Sequence, residues 1–122
     1  MKALLDTNIL VDYLNGIPAA KEEIGRYERP LISVMTWMEV LVGARPPEEA
    51  LVRAFLRRFD CVAIDSQVAE AAVTLRRSGR LKLPDAIIQA SAQVAGALLV
   101  TRNTKDFPEG DPRLRVPYRV GE

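Results

Sequence analysis

The 122-residue chain contains no histidine. Ser-His-Asp and Cys-His nucleophilic machinery is therefore excluded, and so is any zinc site that needs imidazole. Its single cysteine, Cys61, rules out an internal disulfide and a thiolate metal site, and fits a reducing compartment. Aromatic residues make up 6% of the chain, so stacking platforms for unpaired bases are scarce. No apolar run reaches the roughly 18 residues of a membrane span, and the opening MKALLDTN lacks the hydrophobic stretch of a signal peptide. A cytoplasmic protein without membrane association is expected. Net charge is +1, so nucleic acid can be held only by a local basic patch. The chemistry left to this chain runs on carboxylates, amides, hydroxyls and basic side chains.

The length suits one domain spanning residues 1–122, with enough surface to bury for folding without staples. Ala3–Leu5 reads as a buried strand ending at Asp6. Ile9, Leu10, Tyr13 and Leu14 repeat at helical spacing until Asn15-Gly16. A second helix is expected over 19–27 and a strand over 31–34, with Ser33 or Thr36 capping the helix that carries Glu39. An amphipathic helix follows Glu48-Glu49, with Leu51, Phe55 and Phe59 inward and Arg53, Arg57 and Arg58 outward. Then come a strand over 61–64, a helix capped by Asp65 or Ser66, a largely buried helix opened by Leu83-Pro84-Asp85, and a strand over 98–101. Residues 116–120 alternate like a strand, and Pro117 confines it to a sheet edge. Alternating strands and helices imply an α/β fold, with a mostly parallel sheet carrying helices on both faces.

In such sheets, sites form beyond the carboxyl ends of the strands. Asp6 ends the first strand, Asn103 and Asp106 follow the last parallel one, and Glu39 lies about one turn into a helix leaving the second. Asp85 opens the buried helix at its positive dipole end. Each also has a plainer reading. Asp6-Thr7-Asn8 fits a helix cap, Glu39 a solvent-facing or half-buried helix residue, Asp85 an ordinary first-turn acid, and Asn103 with Asp106 simple turn chemistry. Their joint placement at one rim favours a site. Carboxylates crowded together repel unless a cation sits among them. An oxygen-only donor set selects Mg²⁺, with Mn²⁺ as the alternative. Metal-activated water suits such a centre to phosphodiester hydrolysis.

Four segments, LLDTNILVDYL, SVMTWMEVLVGA, LPDAIIQASAQ and LLVTRNTKDF, occur in that order along nearly the whole chain. Together they resemble the PIN-domain ribonucleases, specifically the VapC-type toxins of toxin–antitoxin pairs. The resemblance implies a three-layer PIN-like fold, Mg²⁺- or Mn²⁺-dependent endoribonuclease activity, a homodimer and a cognate antitoxin protein. Carried over, Asp6 and Asp85 become the main metal ligands, and Glu39 completes the cluster directly or through water. Thr7, Asn8 and Thr101 become supporting residues, with the Thr7 or Thr101 hydroxyl orienting a ligand or water. The family commonly places a fourth acid after the last parallel strand. Here the position 18 residues past Asp85 holds Asn103, and Asp106 follows three residues on. One well-held Mg²⁺ is expected rather than two, with either Asn103 or Asp106 in the fourth place.

Arg80, Lys82, Arg102 and Lys105 flank these motifs and are candidates to hold RNA phosphates, although each alone also fits a solvated loop. Two rivals stand beside the nuclease. An aspartyl-phosphate enzyme is disfavoured because Asp6-Thr7-Asn8 lacks a second acid two residues on. A catalytically degenerate PIN-like module that only binds a partner protein remains the alternative.

Overall fold

A computed structural model describes residues 2–107 and 110–119 of the chain. Among them, five strands form one sheet: β1 (Ala3–Leu5), β2 (Leu31–Ser33), β3 (Asp60–Val62), β4 (Leu98–Val100) and β5 (Leu114–Arg115). Their order is β3-β2-β1-β4-β5, and every pairing is parallel. The helices are α1 (Thr7–Leu14), α2 (Pro18–Gly25), α3 (Val34–Val42), α4 (Glu49–Leu56), α5 (Ser66–Ser78) and α6 (Leu83–Ala95).

Strand alternation divides the core. From β1, Ala3 and Leu5 join a cluster with Ile9, Ile24, Val40 and Phe55, on the face covered by α1 to α4. Leu4 points the other way, into a cluster with Val68, Ala72, Ile88 and Leu99 beneath α5 and α6. Three layers result, as the resemblance implied. Leu4 and Leu5 are fully buried on opposite faces of the central strand, which fixes its register and the place of the residue after it.

Several expected boundaries shift. In α4, Val52, Phe55 and Leu56 face inward with Phe59, whereas Leu51 is 76% exposed. The spacing 52, 55, 56, 59 keeps to one helical stripe, and Phe55 stacks on Tyr13 of α1 at 4.5 Å. The second helix ends at Gly25, and the third strand is Asp60–Val62 rather than 61–64. The edge strand is Leu114–Arg115; residues 116–119 extend no ladder, consistent with Pro117 lacking an N–H. Val120, the last residue of that expected strand, lies outside the described residues. Helix α6 buries Ala86, Ile88, Ala90, Ser91 and Ala92 but leaves Leu83 half exposed, so it is buried on fewer sides than its composition suggests. Trp37 packs against the first cluster, and Phe55, Phe59 and Phe107 are buried.

Candidate functional site

Asp6 is the first residue beyond the central strand. Its backbone N–H still donates to the Val100 carbonyl of β4 at 2.8 Å, while its side chain caps α1. It is a carboxylate at 4% exposure held from three directions. Oδ1 accepts from the Thr7 backbone N–H at 2.8 Å. Oδ2 accepts from the Thr101 hydroxyl at 2.7 Å and the Asn8 amide at 3.2 Å. Three donors on about four lone-pair sites leave one acceptor direction, on Oδ1.

Burial pushes the Asp6 carboxyl up to about 6, against the opposing Thr101 and Thr7 hydrogen bonds. The negative charges of Asp85 and Glu39 push in the same direction. Burial, then Asp106 and Glu39, also raises Asp85, while the Lys82 ammonium opposes them. The acids that lie far apart in sequence thus feel one another at one rim, at the carboxyl end of the sheet.

Glu39 arrives there by a different route. Ser33 ends β2, and its Oγ accepts from the Met35 N–H at 3.0 Å, so strand passes into α3 without a loop. Thr36, fully buried one turn in, meets Thr7 hydroxyl to hydroxyl at 2.9 Å. Thr7 has one proton and gives it to Glu39 Oε1 at 2.7 Å, so Thr36 donates to Thr7. Glu39 itself is exposed, not half-buried, because its apolar neighbours Met38 and Val42 also face outward at 41% and 86%.

The turn after β4 separates Asn103 from Asp106. Asn103 Oδ1 accepts from the Lys105 and Asp106 backbone N–H groups at 3.2 and 3.3 Å, and its amide donates to Asp106 Oδ2 at 3.0 Å. Asn103 therefore shapes the turn and orients Asp106, and the charge of Asp106 is what reaches Asp85. Among the described residues, no three acidic side chains have the mutual spacing of a ready-made metal cage.

Of the four basic candidates, Arg80, Lys82 and Lys105 are exposed. Arg102 is half-buried and already engaged. Its Nε and Nη2 donate to Asp12 Oδ2 and Oδ1 at 2.5 and 3.0 Å. Asp12 itself escaped the sequence reading. Its signal was an acid at a position of α1 where spacing called for burial, a place an acid occupies only with a partner. Among the described residues no helix is long and apolar enough to cross a membrane.

The sequence matches the family model described as PIN domain over residues 3–111. It is 34% identical to ribonuclease VapC19 of Mycobacterium tuberculosis, with 94% of this chain and 98% of that protein aligned. Against the tRNA(fMet)-specific endonuclease VapC of Shigella flexneri it is 32% identical, over 88% of this chain and 90% of the relative. A chain in a toxin–antitoxin complex from Klebsiella pneumoniae superposes with a TM-score of 0.91 at 45% identity, covering 98% of this chain and all of that one. The chain belongs to the PIN domain family, among its VapC-type members.

Proposed function

We propose that this chain is a divalent-cation-dependent endoribonuclease and the toxin of a toxin–antitoxin pair. The observation that carries the reading is Asp6: a carboxylate at 4% exposure, held by Thr7, Asn8 and Thr101, with the charges of Glu39 and Asp85 bearing on it. The names of the VapC relatives support RNA as substrate, and the complex that its structural neighbour belongs to supports an antitoxin partner.

The donor set fits Mg²⁺ or Mn²⁺. It is all oxygen and it is anionic, which suits a hard ion that keeps several waters and takes one or two carboxylates. Asp6 and Asp85 would hold the ion, Glu39 and Asp106 would add charge, and one well-held ion is the expected load. When bound, such a cation lowers the pKa of water and neutralises charge on the scissile phosphate. The protein's own part is positioning. Thr101 and Asn8 fix Asp6 Oδ2, Thr7 fixes Oδ1, and the Thr36–Thr7 hydroxyl pair aims Glu39. Lys82 and Lys105, with Arg80, frame the rim and hold RNA phosphates.

An apolar groove of about 370 Å³ runs beside Glu39, lined by Val11, Leu14, Val40, Leu51 and Val52. Leu51 and the nearby Val42 are the most exposed large hydrophobics described. The groove suits an apolar antitoxin segment, with Glu39 at its edge to pair with a basic residue. A homodimer, expected from the family, is tested by sedimentation.

The test of activity is incubation of total RNA with the protein at varied Mg²⁺, wild type beside Asp6→Asn. Cleavage that needs the cation and is lost in the variant is expected. That no three acidic side chains among the described residues have the spacing of a metal cage is what favours the second reading, a partner-binding module without catalysis. Absence of cleavage under Mg²⁺ and Mn²⁺, with no Mn²⁺ uptake by titration, would establish that reading instead.

A further inference from the structure

Three consecutive residues leaving β4 each bond a different carboxylate, the first two outside the turn and the third within it. The Thr101 hydroxyl donates to Asp6. The Arg102 guanidinium makes a two-pronged pair with Asp12. The Asn103 amide donates to Asp106. Asp12 sits on α1 at 4% exposure. A third donor, the Tyr118 hydroxyl, reaches Asp12 Oδ2 at 2.9 Å and ties the segment after β5 to the same carboxylate.

We infer that the Asp12–Arg102–Tyr118 cluster is a positioning clamp for the acidic rim, locking the turn from Thr101 to Asp106 onto α1 so that Asp106 stays opposite Asp85. The inference rests on the metal-nuclease reading above. Asn103's own bonds run to Thr101, Lys105 and Asp106, all within the turn, so they shape it without attaching it to anything else. Attachment comes from Thr101, whose hydroxyl donates to Asp6 and accepts from the Asn8 amide and whose N–H donates to the Arg115 carbonyl, from the long 3.4 Å contact of the Arg102 N–H with Asn8 Oδ1, from the buried Phe107 at the far end, and from the Arg102–Asp12 pair. The pair is the link among these that joins two full opposite charges. A planar fork against a buried carboxylate fixes direction as well as distance, which a lysine in its place would not. Asp12 in turn needs that partner, since a buried charge left alone is strongly disfavoured. None of the three side chains touches a reacting group. They act through Asp106 and Thr101, as residues behind metal ligands commonly do.

The variants Asp12→Asn, Arg102→Lys and Tyr118→Phe test the clamp against the rival in which Arg102 contacts RNA. Three quantities are read: Mn²⁺ affinity by calorimetry, amide hydrogen exchange over residues 101–107, and affinity for a short single-stranded RNA without divalent cation. Asp12→Asn and Arg102→Lys should each weaken Mn²⁺ binding about 10- to 100-fold. Both should speed exchange in the turn and leave RNA affinity within about twofold. The double variant should bind Mn²⁺ about as well as the weaker single one, because both remove one link. Tyr118→Phe, which deletes one hydroxyl and keeps the ring, should shift both Mn²⁺ affinity and exchange the same way by less, with a melting temperature near wild type. Loss of RNA affinity in Arg102→Lys but not in Asp12→Asn would make Arg102 a phosphate contact and overturn the clamp. So would unchanged exchange and unchanged Mn²⁺ affinity in both. A wild type that takes up no Mn²⁺ would sink the metal reading, and the exchange data would then decide the clamp alone.

Discussion

At the scale of single residues, Asp6 carries the tension of the site. Burial and two neighbouring acids lift its carboxyl to about 6, against about 3.9 in an unfolded chain. Between those values the folded protein binds more protons than the unfolded one, so stability falls as pH rises through that window and stays low above it. Two units correspond to roughly 3 kcal/mol, an upper figure because the site relaxes. Asp6→Asn removes the charge and still accepts the Thr7 N–H, but it sacrifices part of the Thr101 and Asn8 bonding. A net gain of about 1 to 2 kcal/mol is expected for the metal-free protein at pH 8, vanishing near pH 4. Thermal melts in chelator should show the variant melting higher at pH 8. Saturating Mn²⁺ should reverse the order, since only the wild type gains from binding. A variant that melts lower than wild type in chelator at pH 8 would mean that the hydrogen bonds, not the buried charge, dominate at this position.

At the scale of elements, the junction of β2 and α3 joins fold to site most directly. Ser33 is at once the last strand residue and the cap of the helix, fully buried, with its hydroxyl on the Met35 N–H. Ser33→Ala should lower stability by about 1 to 2 kcal/mol. Denaturant unfolding should show a lower midpoint at unchanged slope. Cleavage should fall as well, because Thr36 rides on that first helical turn and Glu39 on the next. An unchanged midpoint would remove the cap from the argument. The same junction shows what a sequence makes legible. Short apolar runs followed by capping residues located β1, β2 and β4 to within a residue, since both signals are local. The inward face of α4 was misread through Leu51, because 51-55-59 and 52-55-56-59 both look helical and only the partner surface chooses between them. The pairing of Arg102 was not legible because its partner Asp12 is 90 residues away, and nothing local announces a part-buried ion pair. The choice between Asn103 and Asp106 depended on which side chain the turn spends on its own backbone, a matter of three dimensions.

At the scale of the whole molecule, a net charge of +1 gives RNA no reason to approach from any direction in particular. Attraction has to arise at the exposed Arg80, Lys82 and Lys105, of which Lys82 acts on Asp85, and it must outweigh the repulsion of the acids for phosphate. A bound divalent cation helps by cancelling part of that repulsion, so RNA affinity should rise with Mg²⁺ even in a cleavage-dead Asp85→Asn protein that retains Asp6, by less than in wild type. About three phosphate contacts predict that the logarithm of affinity falls with the logarithm of salt with a slope near −2, at roughly 0.7 per contact on a single strand. Lys82→Ala and Lys105→Ala should each flatten that slope by about 0.7. Arg102→Gln should leave it alone, because its charge is spent on Asp12. Fluorescence anisotropy with a labelled RNA across a salt series measures all of these. A slope near zero in the wild type would mean that the rim does not hold the phosphate backbone, and the substrate would have to be gripped on a surface outside these basic residues.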